Sequence, residues 1–411
     1  MNPKRLPQFL FFFLLLILLI DLPAFFGLRQ LVSDFAPPVM HLLPLVFWLL
    51  TSVYAALTLL AVLQWPRIKQ SSSYRFSFSL FGLFLMLYLP KILFNLIFLL
   101  GAFSSAVISI FGLSLSISHY FLLPGFILAA LLMFALADAM LFGRFRFKTR
   151  TYQVHSDNLP AAFDGFRIVQ LSDMHLGSFF GNRRAVQKGL KKVMDATPDL
   201  IVFTGDLVNN FADEARPFIA DLSKLHAPFG KYAILGNHDY ADYSTWDSAG
   251  AKAENKRLLY QLHKEAGFRL LLNESVQLEK EGQYLILAGV ENWGKPPFHQ
   301  YGDLNKAFEN RNKSTFSVLL SHDPSHWKAQ VLPDTTIDLT LSGHTHGMQL
   351  GIDLPFFKWS PVKLRYPEWA GLYQAGKQWL NVNRGFGYIG FPGRLGIKPE
   401  ISVIELHTAK D

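Results

Sequence analysis

Four apolar runs, at about residues 8–28, 42–64, 77–101 and 119–142, fill most of the first 145 residues, and each is long enough to cross a bilayer as a helix. Inside hydrocarbon the backbone has no water to bond with, so a run of this kind must satisfy its own amides, as a helix does. Residues 1–145 therefore read as a transmembrane domain of about four helices. Between the last two runs, Ser104 to Ser118 is only moderately apolar and holds Gly112, which suits a loop, a re-entrant piece or an interfacial helix equally. Asp21, Lys91 and Asp138 fall inside the runs, where ionisable groups are costly. The two aspartates are expected toward span ends, and Lys91, beside Pro90, is expected to stretch to the interface. Lys4 and Arg5 precede the first run as they would in a secretory signal. The run is longer than a signal's apolar core and lacks a small-residue cleavage site, so it reads as a retained anchor.

Lysine and arginine placement orients these spans. Lys4, Arg5, Arg67, Lys69, Arg75, Arg144, Arg146, Lys148 and Arg150 flank one side and only Arg29 flanks the other. This bias puts both termini, and everything after residue 145, in the cytoplasm of a multi-pass protein of the cell (inner) membrane. The first 150 residues carry 11 Lys/Arg and 3 Asp/Glu, whereas the remainder carries 28 of each. The basic charge thus belongs to the membrane flanks, with anionic headgroups as its natural counterpart, and no nucleic-acid partner is assigned. Oligomeric state is left open by the sequence. With no cysteine anywhere, disulfides and thiolate metal sites are excluded.

Residues 146–411 read as one α/β domain. The apolar runs RIVQLS, LIVFT, KYAIL, SVLLS and DLTLS have the length of buried strands, and further strands are expected near 283–290 and 400–406. Helical patterns at about 182–196, 213–226 and 254–266 alternate with them, which suits helices packed outside a central sandwich. Each of the five named runs ends in a short polar motif: Asp173-Met-His175, Gly205-Asp206, Gly236-Asn237-His238-Asp239, Ser321-His322 and Gly343-His344-Thr345-His346. Strand ends of one sheet edge can bring such side chains together. Asp173, His175, Asp206, Asn237, His322, His344 and His346 are all of metal-ligand type, and mixed imidazole and carboxylate donors suit a pair of divalent cations.

At these five blocks, in this order, the sequence resembles the calcineurin-like metallophosphoesterase superfamily, and the likeness covers about residues 165–407. The resemblance implies a metallophosphoesterase β-sandwich flanked by helices, so that with the multi-span helical membrane domain before it the chain is expected to be α/β overall. It implies one metal held by Asp173, His175, Asp206 and His346 and a second by Asp206, Asn237, His322 and His344, with Asp206 bridging. Manganese is the expected ion, with iron, zinc or nickel as alternatives. By the same resemblance a metal-bridging hydroxide is the nucleophile, His238 is the general acid facing the leaving oxygen, and Asp239 orients His238 and raises its proton affinity. His155, His226, His263, His299, His326 and His407 lie outside the blocks and read as surface or packing residues.

Three further stretches bear on substrate. Phe179, Phe180, Arg183 and Arg184 follow the first motif and open a helix, so the two arginines are candidates for a phosphate-binding lip. The stretches 293–313 and 352–372 read as substrate-facing loops. The second holds Phe356, Phe357, Trp359, Tyr366 and Trp369 among Lys358, Lys363 and Arg365, a mixture able to grip a lipid or dip into a bilayer. The segment from Asn383-Arg-Gly-Phe-Gly to Arg394-Leu-Gly-Ile-Lys-Pro-Glu400-Ile resembles the closing segment of a membrane-associated bacterial branch that includes UDP-diacylglucosamine-cleaving enzymes. The expected activity is hydrolysis of a phosphodiester or pyrophosphate in a lipid-linked substrate. Two alternatives stand beside it: an anchored enzyme acting on soluble substrates, and a membrane sensor whose domain only binds ligand.

Overall fold

The structure, a computed structural model, describes residues 6–35, 39–64, 74–112, 117–309 and 315–409. Lys4, Arg5, Arg67 and Lys69 of the orientation argument, residues 113–116 of the connecting stretch and 310–313 of the first loop lie outside them. The chain divides into two compact units, Met1–Ile68 with Phe76–Leu141, and Lys69–Arg75 with Phe142–Asp411.

The first unit consists of α1 (Leu6–Phe35), α2 (Leu42–Leu63), α3 (Arg75–Ile110) and α4 (His119–Leu141). All four are long and apolar enough to cross a membrane. The third runs on to Ile110, so Ser104–Ile110 of that stretch continues the helix. A polar cluster lies within the bundle. Asp21 is fully buried near the middle of α1, where it accepts from Lys91 Nζ at 2.6 Å and from Thr51 Oγ1 at 2.8 Å. Lys91 also stands over the rings of Phe47 and Tyr88, at 4.4 and 4.8 Å. The sequence expectation for this pair is therefore corrected. Lys91 does not stretch to an interface, because a carboxylate on a neighbouring helix neutralises it at less cost than a long reach. Removing one partner leaves a buried charge. Asp21→Leu is expected to destabilise the unit by about 3–5 kcal/mol, whereas Asp21→Leu combined with Lys91→Met is near neutral. Thermal unfolding in detergent checks this, and equal stability of the single and double variants would refute it.

The second unit is a two-layer sandwich. One sheet contains β1 (Lys148–Ser156), β2 (Phe166–Leu171), β3 (Leu200–Phe203), β4 (Lys231–Ala233) and β5 (Arg269–Leu270). The other contains β6 (Glu274–Lys280), β7 (Gln283–Gly289), β8 (Ser317–Leu320) and β9 (Leu339–Ser342). A ribbon of β10 (Ile352–Asp353) and β11 (Lys358–Trp359) stands apart. Then β12 (Gly371–Ala375) and β13 (Gln378–Val382) extend the second sheet, and β14 (Glu400–Thr408) returns to the first. The orders are β1-β14-β2-β3-β4-β5 and β12-β13-β9-β8-β7-β6.

Strand alternation builds the layers. Ile168, Val202, Val318, Leu320 and Leu341 point between the sheets with Phe166, Leu287 and Ile404. Their neighbours Val169, Phe203 and Leu319 point outward, as a two-residue period requires. Outside the first sheet lie α5 (Arg183–Asp195) and α6 (Ala249–Glu265). In α5, Val186, Leu190 and Val193 repeat at helical spacing and are buried, each worth about 1.5–3 kcal/mol. The helix expected over 213–226 is instead a series of short turns, at Ala212–Glu214, Arg216–Phe218 and Ile219–Leu222. Pro217 supplies no amide there, and Glu214 turns inward to accept from the Asn209 and Phe211 amides.

β2, β3 and β4 run parallel, as do β7, β8 and β9. Leu171 is paired with Phe203, Phe203 with Ala233, and Leu320 with Leu341, so the carboxyl ends of the central strands finish level. Loops that leave those ends in open parallel sheets are where ligands bind.

Candidate metal centre

All five motifs emerge at this edge, and main-chain bonds lock their loops together. Asp173 N donates to Gly205 O at 2.9 Å, His175 N to Asp206 O at 3.1 Å, and Gly343 N to His322 O at 2.9 Å. Asp173, His175, Asp206, His344 and His346 all have positive φ, between 44° and 68°. Non-glycine residues rarely adopt this left-handed conformation, and such strain gathers at functional sites. The loops also approach very closely. A methyl group on Gly236 would strike the Asp206 carboxylate, and one on Gly343 would strike Ser172 and Asp173.

The seven residues converge. His175 Nε2 and His346 Nε2 are 3.0 Å apart, and His346 Nε2 lies 3.3 Å from Asp173 Oδ1. Asp206 Oδ2 sits between this group and the next, 3.6 Å from His175 Nε2 and 3.2 Å from His322 Nε2. Asn237 Oδ1 is 3.2 Å from His322 Nε2 and 2.9 Å from His344 Nδ1. Asp173, His175 and His346 form one group able to hold an ion, and Asp173, Asp206 and His322 form another.

The hydrogen bonds behind these side chains fit them for metal. His322 Nδ1–H donates to Thr204 O at 2.7 Å, leaving the Nε2 lone pair facing the cluster. His344 is turned the other way. Its Nε2–H donates to Tyr366 Oη at 3.0 Å, and that hydroxyl donates to Asp323 Oδ2 at 3.3 Å, so Nδ1 is the lone pair offered inward. Charge is balanced to match. Burial alone would lower the His322 imidazole, but Asp206, Asp173 and the Thr204 carbonyl hold it up at about 10, so without a cation Nε2 also carries a proton, which a bound metal would displace to use that lone pair. Burial would raise the Asp206 carboxyl, yet His322, His238 and His175 keep it well below the usual range. Closely packed imidazoles and carboxylates of this kind are the donors a divalent cation requires.

Tyr366, expected in a substrate-facing loop, is hydrogen-bonded to the candidate ligand His344. Tyr366→Phe should keep the fold and weaken metal binding about 10- to 100-fold, the usual loss for a residue that orients a ligand. Metal retained after titration with a chelator checks this; wild-type retention in the variant would remove Tyr366 from that role.

His238 lies at the cleft but outside the ligand contacts. Its Nδ1–H donates to Asn209 O at 2.8 Å, and its main-chain N donates to Asp206 Oδ1 at 2.8 Å. This corrects the expectation that Asp239 orients it. Asp239 is buried and accepts from the amides of Gly236, Asp206, Leu207 and Val208 at 2.8–3.3 Å, tying the second motif to the third. Burial also lowers the proton affinity of His238 instead of raising it. The arginine lip is corrected too. Arg183 is held by Asp221 through two bonds of 2.8 and 3.0 Å, and neither Arg183 nor Arg184 lines the cleft. The carboxylate that captures Arg183 is 38 residues away and has no signature beside it.

The carboxy-terminal segment braces the first motif. Phe386 N donates to Ser172 O and Gly387 N to Asp173 O, at 2.8 and 2.9 Å. The buried guanidinium of Arg394 donates to the carbonyls of Gly385 and Gly387 and reaches His346 Nδ1 at 3.4 Å. The cleft itself has a volume of about 200 Å³ and is walled by His175, Asp206, Asn237, His238 and His344, with Tyr243 and Phe298 at its side.

A two-layer sandwich whose parallel strands deliver this set of ligands defines a metal-dependent phosphoric ester hydrolase. The chain belongs to the calcineurin-like phosphoesterase family, which residues 166–348 match. It is 36% identical over 269 residues to the uncharacterized metallophosphoesterase YkuE of Bacillus subtilis, covering 64% of this chain and 86% of that protein. A Bos taurus transmembrane protein with metallophosphoesterase domain is 32% identical over 63% of this chain and 57% of its own length. The UDP-2,3-diacylglucosamine pyrophosphatase LpxG of Chlamydia muridarum is 31% identical over 56% of this chain and 81% of its own.

Proposed function

We propose that this protein hydrolyses a phosphodiester or pyrophosphate bond in a lipid-linked substrate, with its second unit in the cytoplasm. The observation that carries the lipid is a patch on the loop packed against the fifth motif. Thr345 Oγ1 donates to Trp369 O, and Ser360 Oγ donates to Gly347 O, so residues 352–372 are fastened to the metal-ligand turn. The same loop presents Phe356 and Leu364 at 87% and 89% exposure, with Leu354, Phe357 and Trp359 also exposed. Apolar side chains gathered this way beside a reactive site suit contact with acyl chains or a bilayer surface. The four long apolar helices and the diacylglucosamine named for one relative support the same reading. Cytoplasmic placement rests on the nine flanking cations against one.

We assign Asp173, His175, Asp206 and His346 to one divalent cation and Asp206, Asn237, His322 and His344 to another, with manganese as the ion. When bound there, the cations polarise the phosphoryl group and increase the acidity of water. Asp206 holds the two halves of the site in register. His238, fixed by the Asn209 carbonyl, presents Nε2 to the cleft and, in its doubly protonated form, supplies the Nε2 proton to the departing oxygen.

The test compares a lipid pyrophosphate with bis(p-nitrophenyl) phosphate in mixed micelles with manganese. Faster cleavage of the lipid supports this reading. Cleavage of the soluble diester alone replaces it with an anchored enzyme for soluble substrates, and cleavage of neither favours a ligand-binding domain.

A further inference from the structure

Among the described residues that line the cleft there is no lysine or arginine. Beyond the candidate ligands and His238, its wall consists of Tyr243, Phe298 and Ile389. A phosphoryl oxygen turned away from the ligand cluster therefore meets two apolar side chains and one hydroxyl. Such an oxygen gains negative charge as phosphorus is attacked, and charge that develops in a walled site is stabilised by a donor already in place.

Tyr243 is held where it can be that donor. Ala241, with a φ of 59°, turns the chain back after the third motif, and Tyr243 N donates to Asn210 Oδ1 at 3.2 Å. The phenol ring then lies on His238, with centroids 4.5 Å apart and 38° between planes. Its oxygen accepts from Asn237 Nδ2 at 2.9 Å, which fixes that amide with Oδ1 facing His322 and His344. An oxygen that accepts this bond still has its own proton to give, and a phenol keeps that proton through neutral pH. Nearby, Tyr366 and Tyr240 donate to Asp323 and Glu291. The Tyr243 O–H has no acceptor among the described residues, and the side chain is 42% exposed at the cleft.

We propose that Tyr243 is a further catalytic residue, whose phenol O–H donates to a non-bridging oxygen of the phosphoryl group during hydrolysis. The proposal rests on the phosphoester reading above and adds a donor to its chemistry. No proton is transferred at this oxygen; the hydrogen bond strengthens as charge accumulates there. Because the Tyr243 and His238 rings pack together, one short stretch of chain sets the acid for the departing oxygen beside the donor for the non-bridging one.

The experiment uses the full chain in detergent with manganese and methyl p-nitrophenyl phosphate, comparing wild type with Tyr243→Phe. Water adds to phosphorus and releases a proton to solvent, the bond to the aryl oxygen breaks, and p-nitrophenolate leaves with the electron pair. This leaving group needs no proton, which separates the readout from the role of His238. The variant keeps the ring over His238 and lacks only the hydroxyl, and water can replace the phenol as acceptor for Asn237 Nδ2. The expected result is unchanged metal content and a kcat lower by about a hundredfold, the smaller of the usual losses for one oxyanion donor.

The two mirror-image phosphorothioates of the ester test the contact itself, since sulfur, a poor hydrogen-bond acceptor, replaces one non-bridging oxygen in each. The ratio of their rates should shift by about tenfold between wild type and variant, because the hydroxyl contributes little where sulfur faces it. A role confined to holding Asn237 or packing on His238 would slow both forms equally. An unshifted ratio, a wild-type kcat in Tyr243→Phe, or a parallel loss of metal and rate would overturn the proposal. If wild type cleaves no ester, the phosphoesterase reading fails, and calorimetry with inorganic phosphate on the manganese-loaded protein then decides the donor alone. Binding about tenfold weaker in Tyr243→Phe upholds it, and equal or absent binding overturns it.

Discussion

Asp206→Ala is expected to remove bound metal and activity together. Asp206 Oδ2 reaches toward both halves of the candidate cluster, 3.6 Å from His175 and 3.2 Å from His322. Its other oxygen accepts the His238 amide at 2.8 Å, so the substitution also loosens the third motif. A single pair of cations supplies several kcal/mol of charge stabilisation to phosphoryl transfer, which makes the loss roughly a thousandfold or more in rate. Metal content by mass spectrometry and hydrolysis of bis(p-nitrophenyl) phosphate check the two effects. Full metal content with full activity would mean that the cluster is not the catalytic centre. Asp206→Asn separates the causes further: it keeps the shape and the hydrogen bond to His238 but removes the negative charge. Near-wild-type metal binding in that variant would show that geometry, and not charge, holds the ions.

Much of this site was legible because its residues follow short apolar strands. LIVF at 200–203 and SVLL at 317–320 are too short for helices and too apolar for exposed loops, so the polar residues just after them had to lie at a sheet edge. Their convergence depends on two sheets ending level, which is a matter of register and not of local sequence. The groups behind the ligands were less legible. Asn209 holds His238 through its main-chain carbonyl, which every residue possesses, so no residue type marks that role. Tyr366 and Asp323 are 43 positions apart, and their contact arises from the fold of a loop over the fifth motif. The one local hint was the carboxylate of Asp323 directly after His322.

The fold shows the same division. The strands that carry motifs were found by length and apolarity. β12 and β13, by contrast, mix Tyr, Gln, Trp and Asn, because an edge hairpin is only half covered. The helix expected over 213–226 had a suitable pattern, but the buried Glu214 is needed to hold the Asn209–Phe211 amides, and this tertiary demand overrides helical propensity. The Glu214 carboxyl is pushed up to about 7 by burial, against the pull of those amides.

His238→Gln should leave metal content intact and lower turnover according to the leaving group. Among the described residues the imidazole is hydrogen-bonded to none of the seven candidate ligands, and its Nδ1, held by the Asn209 carbonyl, leaves Nε2 for the cleft. Positioned acids of this type contribute about 10²–10⁴-fold when the departing oxygen needs a proton. An alkyl phosphodiester expels a strongly basic alkoxide and should show that full loss. A p-nitrophenyl ester expels a stable phenolate and should lose far less. Burial lowers the proton affinity of this imidazole, so the fraction carrying a proton on Nε2 falls away at a lower pH than for a free histidine, and the alkyl-ester rate should decline with rising pH accordingly. An equal loss on both esters would assign His238 to binding instead of proton transfer, and a parallel loss of metal would place it among the ligands. The comparison thus separates the three roles open to a histidine at this position.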